Sequence, residues 1–185
     1  MAFPRLHGGA AALDFVNTVD PRLGPGPVEF LTSPQGLSAW AEYAGVAEGA
    51  VVDRAGFERA LEARETLYAI FRAVANEAEP DPADLDRLRE AYVRALGRAR
   101  LTGPPGSLRW ELPPSAGADA VLLPILESAL ELLGAPARVK ECLGENCGWL
   151  FVDRSKNGSR RWCSMDSSGT RDKMRRYRSR RQAAP

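Results

Sequence analysis

All three cysteines of this 185-residue chain lie after residue 141, and their spacing constrains the fold more than any other feature. Cys142 and Cys147 bracket four residues that include Gly144 and Asn146, which suits a tight knuckle presenting two sulfurs to one ion. Residues 149–152 (WLFV) then read as a short strand, and Ser155-Lys156-Asn157-Gly158 as a turn, Asn-Gly being a strong hairpin signal. Residues 160–163 are expected to return as the second strand and bring Cys163 beside the first pair. A basic helix is expected from about Ser168 to Arg181. Knuckle, hairpin and helix make a treble-clef-like zinc-finger layout. An odd number of thiols in one segment is no disulfide framework and points to a reducing, cytoplasmic setting. Two readings of the thiols stand on spacing alone: a zinc site needing a fourth ligand, or three buried thiols without metal. The sole histidine, His7, is remote in sequence.

The cysteine segment also carries the charge of the chain. Residues 1–137 hold 12 Lys and Arg against 19 Asp and Glu, a balance of −7, while residues 138–185 hold 13 against 5, a balance of +8. The net charge of +1 conceals this split. It predicts two structurally distinct modules, residues 1–136 and 137–185, meeting near residues 134–138, and a 1–136 fragment that unfolds cooperatively by itself. Arg160, Arg161, Arg171, Lys173, Arg175, Arg176, Arg178 and Arg180 are candidate nucleic-acid contacts, because guanidinium forks match phosphate oxygens. In a helix Arg171, Arg175 and Arg178 share one face, with Met174 and Tyr177 as packing contacts. The alternatives are a solvated basic tail or a contact to an acidic partner such as the −7 body of another copy.

The first module reads as mainly helical. In AALDFVNTVD (residues 11–20), Leu13, Val16 and Val19 fall on one helical face, with Asp20-Pro21 as the stop. Ser33-Pro34 is a cap and first helical position for a helix carrying Leu37 and Trp40. The strongest helix runs from Arg54 to about Glu77, with Phe57, Ala60, Leu61, Leu67, Tyr68 and Phe71 at steps of three and four. Another follows Asp81-Pro82, and a last one covers residues 119–133 and stops at Gly134. Between them, residues 100–102 and 108–112 flank Gly103-Pro104-Pro105-Gly106 as arms of a small hairpin. A composition of 44% hydrophobic and 26% charged residues excludes a wholly disordered chain. The longest apolar run, near residues 121–126, is too short to span a membrane, and the N-terminus has no signal-peptide pattern.

Arg64 interrupts the apolar stripe of the long helix, so it is expected to point inward or into a groove. A guanidinium there needs a carboxylate, and Asp14 and Asn17 on the first helix are candidate partners. Asp14, Asn17 and Arg64 together read either as a structural ion-pair cluster or as a ligand pocket for an anion.

Residues 142–181 resemble the CGNR zinc finger, a bacterial C-terminal module named for a Cys-Gly-Asn-Arg tetrad. The matching elements are C-x₄-C, the W-L-F-x-D strand, S-K-N at residues 155–157 and R-R-W-C-S-M at residues 160–165. The tetrad falls on Ser168-Gly169-Thr170-Arg171, so this chain departs from the pattern at the fourth cysteine and at the asparagine. The N-terminal part is similar to the ABATE domain through L-D-F-V-N-T (residues 13–18) and the leucine-rich helix before Gly134. The resemblance implies one zinc ion on Cys142, Cys147 and Cys163, with the fourth position open to Ser168, Asp166, water or a neighbouring chain.

The resemblance also implies a stress-induced transcription regulator. Its helical body would sense a small-molecule effector or form a homodimer, and its finger would bind duplex DNA. Two other readings compete: an RNA-binding protein, or a protein-interaction module with a degenerate zinc site. An enzyme is not expected, since no nucleophile has a local base and no phosphate loop is present.

Overall fold

Short-range chemistry sets the helix ends in the structure, a computed structural model that describes residues 3–134 and 138–164. The helices are α1 (Ala11–Val16), α2 (Pro34–Tyr43), α3 (Arg54–Ala75), α4 (Pro82–Leu96) and α5 (Ala118–Gly134). Ser33 Oγ accepts from Gly36 N at 3.0 Å, Asp53 Oδ1 from Gly56 N at 2.7 Å, and Asp81 Oδ1 from Ala83 N at 2.8 Å. Each cap satisfies a helix N–H that has no intrahelical partner, worth about 1 kcal/mol. Pro34 and Pro82 open their helices with φ already fixed.

α1 is shorter than the Leu13/Val16/Val19 spacing predicts. Thr18 Oγ1 donates to Phe15 O at 2.7 Å, the Asn17 side chain turns to a distant strand, and the backbone leaves the helix there. Val19–Asp20 (β1) instead pairs antiparallel with Val28–Glu29 (β2), an element that the turn-rich stretch between them hides from periodicity. The expected hairpin forms from Arg100–Thr102 (β3) and Arg109–Glu111 (β4), with Leu101 opposite Trp110. Its turn needs Gly103: at φ +112 an added Cβ would lie 2.5 Å from Ser107 O.

The core forms where the apolar faces of α1, α2, α3 and α5 meet. Leu13, Phe15 and Val16 of α1, Leu37 and Trp40 of α2, Leu67, Ile70 and Phe71 of α3, and Ile125 and Leu126 of α5 are fully buried. Burial contributes roughly 1.5–3 kcal/mol for each large side chain. The rings of Phe15 and Trp40 meet at a centroid distance of 5.3 Å and a tilt of 44°. The protein is mainly α, with small hairpins.

The charge boundary near residue 137 is not a packing boundary. Val139–Glu141 (β5) pairs antiparallel with Leu150–Val152 (β6), and Val139 and Leu150 are buried in the same core as the helices. The strand at 150–152 therefore pairs backwards, across the cysteine knuckle, and not with residues 160–163 as the Asn-Gly turn suggested. The reason is Asp153. Its carboxylate accepts from Ser155 N at 2.9 Å, Ser155 Oγ at 2.6 Å and Arg160 N at 3.0 Å, so the chain curls around it where a ladder would otherwise continue. The expected helix beyond Ser168 lies outside the described residues. Among the described residues no helix is long and apolar enough to cross a membrane.

Candidate metal centre and its seat on the helical body

Cys142 follows β5, Cys147 precedes β6, and the chain returning from Asp153 delivers Cys163. The three sulfurs all lie within 4.8 Å of one another, and all three residues are buried. Cys147 Sγ and Cys163 Sγ are 3.8 Å apart. Two thiolates bound to one tetrahedral zinc at about 2.3 Å would be separated by about 3.8 Å, so the spacing fits that ion. The backbone provides the second layer: Cys163 N donates to Cys142 Sγ at 3.2 Å, and Gly144 N does so at 3.4 Å. Asn146 supports the knuckle with a left-handed backbone, φ 60, which asparagine tolerates.

The electrostatics favour a cation. Hydrogen bonds from the Cys147 and Cys163 thiols, joined by the Cys163 and Gly144 amides, hold the Cys142 thiol far below the usual thiol range. The hydrogen bond to Cys142 in turn pushes the Cys147 thiol up, and the bonds to Cys142 and Cys147 push Cys163 up further. Three sulfurs this close cannot all ionise alone; a divalent cation removes that conflict and deprotonates its ligands. The donor set thus fits a thiophilic metal ion.

Asp153 and Arg160 brace the centre. Asp153 is only 3% exposed, and Lys140 Nζ donates to it at 2.8 Å. Hydrogen bonds from Lys140 and then Ser155 hold its carboxyl well below the usual carboxylate range. The Arg160 guanidinium stacks over the Phe151 ring at 4.5 Å, and donates to Trp162 O at 2.9 Å and to Cys163 O. Arg160 therefore has an internal bracing role. Arg161 is exposed, with its guanidinium 5.8 Å from the centre of the Trp162 ring.

The knuckle sits directly on the helical body. Asn17 Nδ2 donates to Leu150 O at 2.8 Å, and Leu150 N donates back to Asn17 Oδ1 at 3.0 Å. Trp149 Nε1 donates to Val19 O at 2.9 Å. The loop after β1 docks on the knuckle backbone: Arg22 N donates to Cys147 O at 2.8 Å and Leu23 N to Asn146 O at 2.9 Å. Tyr68 Oη, on α3, donates to Gly148 O at 3.0 Å. The approach is close enough to demand glycine at 148, where φ is +63 and a Cβ would lie 2.6 Å from Leu23 Cγ. His7 also reaches the knuckle, with its ring centroid 6.4 Å from that of Trp149.

Asp14, Asn17 and Arg64 have separate partners. Arg64 points inward as expected and is 4% exposed. Its carboxylate partner is Glu29 of β2, held through Nη1–Oε1 at 2.7 Å and Nη2–Oε2 at 2.6 Å. Thr18 Oγ1 at 3.1 Å and Glu65 Oε1 at 2.8 Å complete the set. Asp14 instead accepts from Gly8 N at 2.7 Å, and Asn17 holds Leu150. The roles of Trp149, Asp153, Arg22 and Tyr68 at this site were not read from periodicity; the W-L-F-x-D and L-D-F-V-N-T motifs were the available signals. Asp166, Ser168, Arg171, Lys173, Arg175, Arg176, Arg178 and Arg180 lie outside the described residues.

Two family models match the chain. Residues 9–136 match ABATE, described as "Putative stress-induced transcription regulator", and residues 138–181 match the CGNR zinc finger. These are regulator and zinc-finger families, not enzyme families. No curated protein matches the chain.

Proposed function

The chain belongs to the ABATE family and ends in a CGNR zinc finger; from that premise we propose that it is a cytoplasmic transcription regulator whose finger binds duplex DNA. The observation that carries this reading is the +8 balance of residues 138–185 against the −7 of the rest. Within the finger, Arg138, Lys140, Arg154 and Arg160 donate to protein carbonyls or carboxylates. Arg161 is exposed. Arg161, Arg171, Lys173, Arg175, Arg176, Arg178 and Arg180 are the proposed nucleic-acid contacts, mainly to phosphates. The helical body, linked to the knuckle through Asn17, Val19, Arg22 and Tyr68, is the proposed sensing and dimerising part.

The finger's ion is zinc, held by Cys142, Cys147 and Cys163, with the fourth position taken by Ser168 or Asp166. A serine hydroxyl is a weak zinc ligand at neutral pH, so retention is looser than in a four-cysteine site, and Ser168→Cys strengthens it against a chelator.

The test is a fluorescence-anisotropy titration of the full chain on duplex DNA over a series of salt concentrations, with structured RNA as competitor. If about five basic side chains neutralise phosphates, log affinity falls with log salt at a slope of roughly −4 to −5. Salt-independent binding, or none to any duplex at low salt, overturns the DNA reading in favour of an acidic protein partner. Preferential capture by RNA moves the assignment to an RNA-binding protein.

A further inference from the structure

A cavity of about 360 Å³ lies between the loop after α2, strand β4 and one face of α5. Its lining is mixed: Val46, Leu112, Leu123, Pro124 and Trp110 supply apolar surface, and polar surface makes up the rest. Its polar groups are Glu48, Glu111 and Glu127, and none of the lining residues is Lys, Arg or His. Glu111 is already paired with Arg109. Among the described residues, Glu48 and Glu127 form no ion pair.

A second acceptor comes from the helix itself. Pro124 lies inside α5 and has no N–H, so the carbonyl of Ala120, four residues earlier, lacks its helical donor. Ala120 and Pro124 both line the cavity. The cavity therefore brings Trp110 and two carboxylates without an ion pair among the described residues, Glu48 and Glu127, to the wall that carries Ala120, and none of its lining side chains is a cation. Desolvation pushes the Glu127 carboxyl up, a cost that a bound cation relieves. Aromatic faces and carboxylates together are the usual recognition set for organic ammonium groups. The volume is at the lower end of small-molecule sites, roughly 300–1,000 Å³.

We propose that this cavity binds an amphipathic organic cation, a small ammonium carrying an aryl or alkyl group. The hydrocarbon would lie on Leu112, Leu123 and Pro124, and the ammonium would meet Glu127, Glu48 and the Ala120 carbonyl. The inference is independent of DNA binding and would stand if that reading failed.

The test is calorimetric titration of the full chain with three probes of similar shape: 2-phenylethylammonium, neutral 2-phenylethanol and anionic 3-phenylpropionate. The cation is expected to bind saturably with a dissociation constant in roughly the 0.1–1 mM range, as ordinary efficiency for a ligand of that size gives. The alcohol should bind more weakly, and the anion should not bind. Glu127→Gln should weaken the cation about fivefold to tenfold and leave the alcohol unchanged. Glu48→Gln, farther toward solvent, should have a smaller effect in the same direction, and thermal melts establish that both variants are folded. Anion binding equal to cation binding, no saturable cation binding up to about 10 mM, or a cation-to-alcohol ratio unchanged in both folded variants overturns the proposal.

Discussion

Asn17 and Leu150 lie 133 positions apart in sequence and exchange two buried hydrogen bonds, at 2.8 Å and 3.0 Å. The amide of Asn17 reproduces one rung of a β-ladder, so the end of α1 acts as a surrogate strand for β6. That contact, with Val19 O receiving Trp149 Nε1, makes the cysteine knuckle an extension of the helical body.

Asn17→Ala should cost about 2–4 kcal/mol, because it strands a buried N–H and a buried C=O of Leu150 at once. Denaturant unfolding of the full chain measures this. A change below about 1 kcal/mol would show that water or a neighbouring group replaces the amide.

Excising the finger should damage the body. Val139 and Leu150 belong to the core that holds Leu13, Leu67 and Phe71. A 1–136 fragment should therefore show a broadened, low-midpoint denaturant transition and bind a hydrophobic dye. A sharp transition at the full-length midpoint would instead support the two separate modules that the charge pattern suggests.

These outcomes mark where the sequence was legible. The helices α2 to α5 could be read because their signals are local: Ser33, Asp53 and Asp81 cap α2, α3 and α4, and the apolar residues of all four recur at helical spacing. The pair Cys142 and Cys147 was legible from the knuckle spacing, while Cys163 joins them without the second strand expected to deliver it. The early end of α1, the pairing of β1 with β2 and the identity of β6's partner were not. Each depends on a side chain whose partner is distant or competes with a local turn signal: Asn17 with Leu150, Arg64 with Glu29, and Asp153 gathering Lys140 and Arg160. Arg64 shows both sides. Its inward position followed from its place between Phe57 and Leu67, whereas its partner lay on a strand that periodicity could not reveal.

The Arg64–Glu29 pair gives a double-mutant test. Glu29→Gln removes a bidentate charge from a guanidinium that is 4% exposed, and should cost about 1–3 kcal/mol, discounted for the partial exposure of Glu29. Arg64→Met with Glu29→Gln should cost less than the sum of the single changes, because no buried charge is left unpaired. Strict additivity in thermal melts would show the pair to be energetically idle.

Asp14 introduces a pH dependence. Burial pushes its carboxyl up to about 6, outweighing the hydrogen bond from the Gly8 amide. Because the folded protein holds this proton more tightly than the unfolded chain, the group favours folding fully only below about pH 3.9. Its contribution falls as pH rises to about 6 and is constant above that. Asp14→Asn should flatten stability over that window and raise it at pH 7 by about 1–2 kcal/mol. An unchanged slope between pH 4 and 6 would assign the titration elsewhere.

If metal, knuckle and helical body form one unit, the proposed DNA binding depends on the metal. The most direct test is duplex binding by the full chain before chelation, after chelation with metal loss verified by elemental analysis, and after zinc is restored. Affinity should fall at least about tenfold on metal removal, equivalent to about 1.4 kcal/mol, and recover with zinc. Undiminished binding by metal-free protein would contradict this dependence.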